Sequence, residues 1–118
     1  QERSLIMKVM DVERLPNSPK PHHVDAREAH ESPHAVAVVV TLRPGEAMKK
    51  HTMLVDVSLY VLEGIGCVEI GDERTTLGKG MLAESPARVP HRGINESNGL
   101  FRVMAVKAPR LAEDTILL

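Results

Sequence analysis

The stretch from Gly45 to Gly64, GEAMKKHTMLVDVSLYVLEG, constrains the rest of the chain more than any other. His51, Met53, Val55, Val57, Leu59 and Val61 fall at alternate positions, the period of side chains that share one face of a β-sheet. The spacing predicts two strands with a turn near Leu54–Asp56, closed by Gly64. One imidazole therefore stands in a row of otherwise apolar side chains.

The flanking sequence repeats the β signal. AVAVVVTL, from Ala35, is rich in β-branched residues and ends at the turn dipeptide Pro44-Gly45. CVEI and ERTTL read as a hairpin across Gly71-Asp72, and Gly78 and Gly80 bracket a further turn before MLAE. Val89–His91 is a short segment after Pro86, NESNG is a turn, and LFRVMAV is the last clear strand. Many short strands separated by Gly and Pro predict an all-β protein, an antiparallel barrel or jelly roll.

The N-terminal third reads differently. Residues 5–12 form a first strand or an edge arm, and Pro16, Pro19 and Pro21 keep the next segment out of a helix or central strand. Asp25–Ser32 reads as a short helix, with Asp25 as cap, Glu28 completing a capping box and Pro33 as the stop. The tail RLAEDTILL ends in an apolar run that packs on the barrel or on a second subunit. The expected layout is an arm over 1–34, a barrel over 35–110 and a tail over 111–118.

Composition narrows the function. The 118 residues carry a formal charge of −1 without a basic block, and Tyr60 and Phe101 are the only aromatics. Neither phosphate neutralisation nor base stacking has material here, so no nucleic-acid partner is expected. The apolar runs fall well short of the roughly 20 residues of a membrane-spanning helix, so no membrane partner is expected. One cysteine, Cys67, rules out an internal disulfide framework. With no charged-then-apolar leader in view, the expected location is cytoplasmic.

Gly80–Asn95, GMLAESPARVPHRGIN, supplies a second imidazole, His91. Gly45, His51, Met53, Val57 and Gly64 stand at the places of a G-x5-H-x-H-x3-E-x6-G motif. Gly80, Pro86, Arg88, His91 and Asn95 stand at those of G-x5-P-x-G-x2-H-x3-N, after fifteen intervening residues. In these two spacings, across 36–106, the chain resembles the cupin superfamily. The resemblance implies a single-domain jelly-roll barrel, a double-stranded β-helix with an N-terminal arm here, and a pocket for a metal or small molecule. It also implies a homodimer. Of the four positions that family fills with three His and one Glu, this chain keeps His51 and His91. Met53 replaces a histidine, Val57 the glutamate, and Arg88 a turn glycine.

Two roles follow for the imidazoles. They ligate a divalent transition metal, or they are neutral polar anchors for an organic ligand. A catalytic metal centre typically needs a third protein ligand. Met53 offers a thioether, suited to a soft ion, or is apolar filler. Asp56 reaches inward only through a bulge, because strand periodicity sends it outward. The remaining source is the N-terminal arm, where His22, His23, His30 and His34 are otherwise an exposed polar group.

The expected pocket lining adds Met53, Val57, Leu59, Arg88 and Asn95. Arg88 is a clamp for carboxylate or phosphate, or a solvated loop residue held in a backbone different from glycine's. Asn95 more readily fixes its turn. Arg92 and Arg102 are further candidates, and Cys67 is a passive small residue. The chain reads first as a small-molecule-binding protein with a degenerate metal site. The alternative is a metal-dependent enzyme of the dioxygenase, isomerase or decarboxylase type. A third reading is metal-free acid–base catalysis by one histidine.

Overall fold

The β-branched runs at Val36–Leu42 and Phe101–Ala108 become strands, and Gly71-Asp72 becomes a turn. The computed structural model describes residues 6–18, 23–109 and the backbone of 115–117. The strands are β1 (Asp25–Glu31), β2 (Val36–Leu42), β3 (His51–Met53), β4 (Asp56–Glu63), β5 (Ile65–Ile70), β6 (Glu73–Gly78), β7 (Leu82–Ser85), β8 (His91–Ile94), β9 (Phe101–Ala108) and β10 (Thr115–Leu117). They form two antiparallel sheets, ordered β1-β2-β9-β4-β7 and β10-β3-β8-β5-β6. This is the jelly roll. Among the described residues no helix is long and apolar enough to cross a membrane.

The turn at Leu54–Val55 separates strands of different sheets: β3 belongs to one and β4 to the other. Because the sheets face each other, the alternating set stays inward across the change. His51, Met53, Val55, Val57, Leu59 and Val61 are all buried. Gly64 makes the next crossing with φ +84°, and a Cβ there would lie 1.9 Å from the Leu100 carbonyl oxygen. Only glycine fits that bend.

The interior has two ends. At one, Leu42, Val61 and Phe101 are fully buried, and Leu42 and Phe101 are paired across β2 and β9. The Phe101 ring lies where a side chain on Gly66 would be, 2.3 Å from an ideal Cβ. Toward the other end the inward residues shrink to Ala26, Val38, Val57 and Ala105, and the packing opens into a cavity.

Two N-terminal expectations change, the helix and its cap. The segment read as a helix at Asp25–Ser32 is the edge strand β1, in register with β2 from Asp25↔Thr41 to Glu31↔Val36. One or two helical turns gain little, whereas the open edge of β2 offers a full ladder. Asp25 does not cap; it pairs with Arg27 two residues on, at 3.0 Å. Residues 6–11 join no strand and lead into a 3-10 turn at Val12–Arg14, capped by Asp11 Oδ1 accepting from Glu13 N at 3.0 Å. The proline segment is tied to β1, with Ser18 N donating to the Ala26 carbonyl (2.8 Å) and Ala26 N to Asn17 Oδ1 (3.0 Å). At the far end, β10 pairs with β3 of the same chain; residues 110–114 lie outside the described set.

Candidate functional site

His51 and His91 are Cα partners on neighbouring strands β3 and β8. Directly opposed residues of an antiparallel pair hold their Cβ atoms about 4.5–5.5 Å apart on one face. Their rings accordingly touch, with centroids 4.3 Å apart at 70°, edge to face. Both side chains are buried, at 4% and 2% exposure. A residue forty positions away becomes a contact because the sheet makes it one.

Each ring is oriented by a bond at Nδ1. His51 Nδ1 lies 2.9 Å from the Lys49 carbonyl oxygen. A carbonyl only accepts, so Nδ1 carries the hydrogen and Nε2 is the basic nitrogen of the neutral ring. His91 Nδ1 lies 2.9 Å from Ser85 Oγ, on the buried end of β7. Burial pushes the His51 pKa below its ordinary value; the Lys49 carbonyl opposes this and the Lys107 ammonium adds to the lowering. His51 is neutral near pH 7.

The rings face a cavity of about 270 Å³ between the sheets. His51, Met53, Val57, Leu59 and His91 line it, with Met48 beside them. The opposite wall is Ala26, Val38, Val40 and Ala105, and the polar lining is completed by Ser18, Glu28 and Lys107. Lys107 shares the inward parity of Phe101, Val103 and Ala105 on β9. A charged residue at an apolar position of a strand was the signal that sequence reading passed over. Glu28 was hidden by the helix expectation, and Ser85 by its place beside Pro86.

Three expected site residues lie elsewhere. Asp56 is exposed and accepts a hydrogen bond from Ala87 N at 2.8 Å, so it braces the β7–β8 loop and offers no donor to the imidazoles. No bulge occurs at Asp56, whose register with Ala108 leads regularly into Val57↔Lys107. Arg88 is exposed and outside the cavity lining. Its φ is +69°, the left-handed conformation a glycine would take, which corrects the expectation of a different backbone. Its N–H donates to the Met53 carbonyl at 2.7 Å, which helps hold that conformation. Asn95 is wholly buried but away from the cavity. Its Nδ2 donates to the Leu42 and Gly99 carbonyls at 2.8 Å each, and its Oδ1 accepts from Ser97 N and Oγ. His23, His30 and His34 are exposed and line no part of the cavity, and His22 lies outside the described residues.

The profile of the cupin domain matches residues 38–107. The chain belongs to the cupin family. Among solved structures, this cupin is similar to the TT1209 protein from Thermus thermophilus, with 33% identity over 89% of this chain and 100% of that one, at a TM-score of 0.76. A double-stranded β-helix protein from Klebsiella pneumoniae is 21% identical over 95% and 98% of the two chains, with a TM-score of 0.78. The polyketide cyclase RemF from Streptomyces resistomycificus shares the fold at 15% identity, over 96% of this chain and 87% of that one, with a TM-score of 0.81. No curated protein matches.

The metal centre usual in cupins does not fit the residues present. Among the described residues, no group of three His, Cys, Asp or Glu side chains is gathered anywhere.

Proposed function

We propose that this cupin binds a small organic molecule in the cavity, held by His51 and His91 without a three- or four-ligand metal centre. The observation that carries this reading is the contacting imidazole pair, set in an otherwise largely apolar enclosure. A concave apolar site with a few convergent polar groups is the usual form of a small-molecule pocket. With Nδ1 donating to the Lys49 carbonyl, the basic nitrogen of the His51 ring is Nε2. Met53, buried beside the rings, is apolar wall in this reading. The protein works as a homodimer, supported by the exposed apolar arm that includes Ile6 and Val9.

Elemental analysis of protein purified without chelator from metal-supplemented growth tests the reading. The expected metal content is far below one equivalent and unchanged by His51→Ala. Near-stoichiometric metal that is lost on His51→Ala would overturn it in favour of a metal-dependent cupin enzyme, with Met53 as the third donor.

A further inference from the structure

Ser85 ends β7 at 1% exposure and takes no part in the cavity lining. Its Cα partner on β4 is Val57, the position at which the first cupin motif carries its glutamate, so the side chain opposite offers it no acceptor. Among the described residues the Ser85 hydroxyl has one hydrogen-bond partner, His91 Nδ1 at 2.9 Å.

That single partner decides the direction of the bond. A serine hydroxyl holds one hydrogen and two lone pairs, whereas an imidazole nitrogen either donates or accepts. Were His91 Nδ1 the donor, the Ser85 hydrogen would be stranded in the interior, and a buried donor without an acceptor costs the full desolvation of the group. With Ser85 as the donor, both its hydrogen and the Nδ1 lone pair are used. A lone pair left over on a buried oxygen is the more tolerated imbalance, as at carbonyls.

We infer that Ser85 donates to His91 Nδ1 and so fixes the hydrogen of the neutral ring on Nε2, the reverse of His51, whose Nδ1 donates to the Lys49 carbonyl. The two touching rings are opposite tautomers, and Ser85 is the positioning residue that makes them so. The inference rests on the metal-free reading of the pair and deepens it. A histidine that ligates a metal typically gives its other ring N–H to a carbonyl, a carboxylate or water. His51 is set in that way and His91 in the opposite way. A cation would meet a hydrogen on His91 Nε2 where a ligand needs a lone pair. Ser85 therefore turns a two-histidine rung away from chelation and towards hydrogen bonding.

Two-bond proton–nitrogen NMR spectra of the intact, isotope-labelled protein at pH 7.5 read which nitrogen of each ring carries the hydrogen, and metal content is measured on the same sample. Expected are the Nδ1–H form at His51, the Nε2–H form at His91 and metal far below one equivalent. In Ser85→Ala the ratio of Nε2–H to Nδ1–H at His91 should fall roughly 2- to 10-fold, the worth of one net hydrogen bond, with His51 unchanged. Ser85→Thr, which keeps the hydroxyl, should restore the ratio. His91 carrying a hydrogen on Nδ1 in metal-free wild-type protein would overturn the tautomer assignment and leave the small-molecule reading standing. A ratio that does not move in Ser85→Ala would overturn the role given to Ser85. Near-stoichiometric metal with both rings in the Nδ1–H form would overturn the two readings together. The wild-type spectrum decides the tautomer even where a variant does not fold.

Discussion

His51 is neutral for a reason that also makes it a stability sensor. Its folded pKa lies below the ordinary 6.5, chiefly through burial. In the interval between the two values the unfolded chain binds the proton and the folded chain does not. Stability is therefore complete above about pH 6.5 and falls as pH drops toward the folded value, by at most about 1.4 kcal/mol per pH unit for one group. Urea unfolding between pH 8 and 5 should show this acid limb, and His51→Gln should flatten it. The carboxylates of Glu46, Glu69 and Glu96, held below their ordinary 4.5 by arginines, act in a lower window and leave this one clear. At this scale the sequence was legible where a residue's role follows from strand parity. It was not legible at Arg88, and Asn95, though read as fixing its turn, was also counted in the pocket lining. There the motif position encodes a backbone conformation and a buried turn bracket, and neither requires the side chain to reach the cavity.

Among the elements, the β5–β6 hairpin shows what spacing can announce and what it cannot. Gly71-Asp72 marked the turn, and the strands pair from Ile65↔Gly78 to Ile70↔Glu73. On the outer face Glu69 holds Arg74 on β6 at 3.2 Å and Arg92 on β8 at 2.8 Å, a three-strand ladder. Inside, Gly66 leaves room for the Phe101 ring. Gly66→Ala would force a methyl into that ring, and overpacking of this kind typically costs about 1–3 kcal/mol. A lowered urea midpoint with unchanged slope would register it; a midpoint equal to wild type would mean the ring can withdraw. The mirror case is β1. DAREAHE carries no apolar alternation strong enough to announce a strand, and only the open edge of β2 makes it one. Local pattern failed where a non-local partner decided the structure, and with it went sight of Glu28.

For the molecule as a whole, exposed apolar side chains stand on the N-terminal arm and on the β4–β7 face, among other places. Ile6 and Val9 are 97% and 83% exposed, and Tyr60 and Leu82 form an exposed cross-strand pair on β4 and β7. Withdrawing such side chains from water is worth about 1.5–3 kcal/mol each, enough for a few of them to drive association. Equilibrium sedimentation should give a dimer for the intact chain and a monomer when residues 1–12 are removed. A monomer in both cases would contradict the homodimer. A dimer in both would move its interface from the arm to the β4–β7 face.

The register of β3 on β8 has a further implication. Both imidazoles are set by backbone pairing at one rung, and Lys49 and Ser85 each lock a ring, so this wall has little freedom to adapt to a guest. The facing wall is made of short side chains on β1, β2 and β9, where a change of one or two carbons alters the shape of the space without disturbing the rung. Relatives that keep the paired rings but differ at Ala26, Val38 or Ala105 would then be expected to share a common way of gripping their guests while choosing different ones.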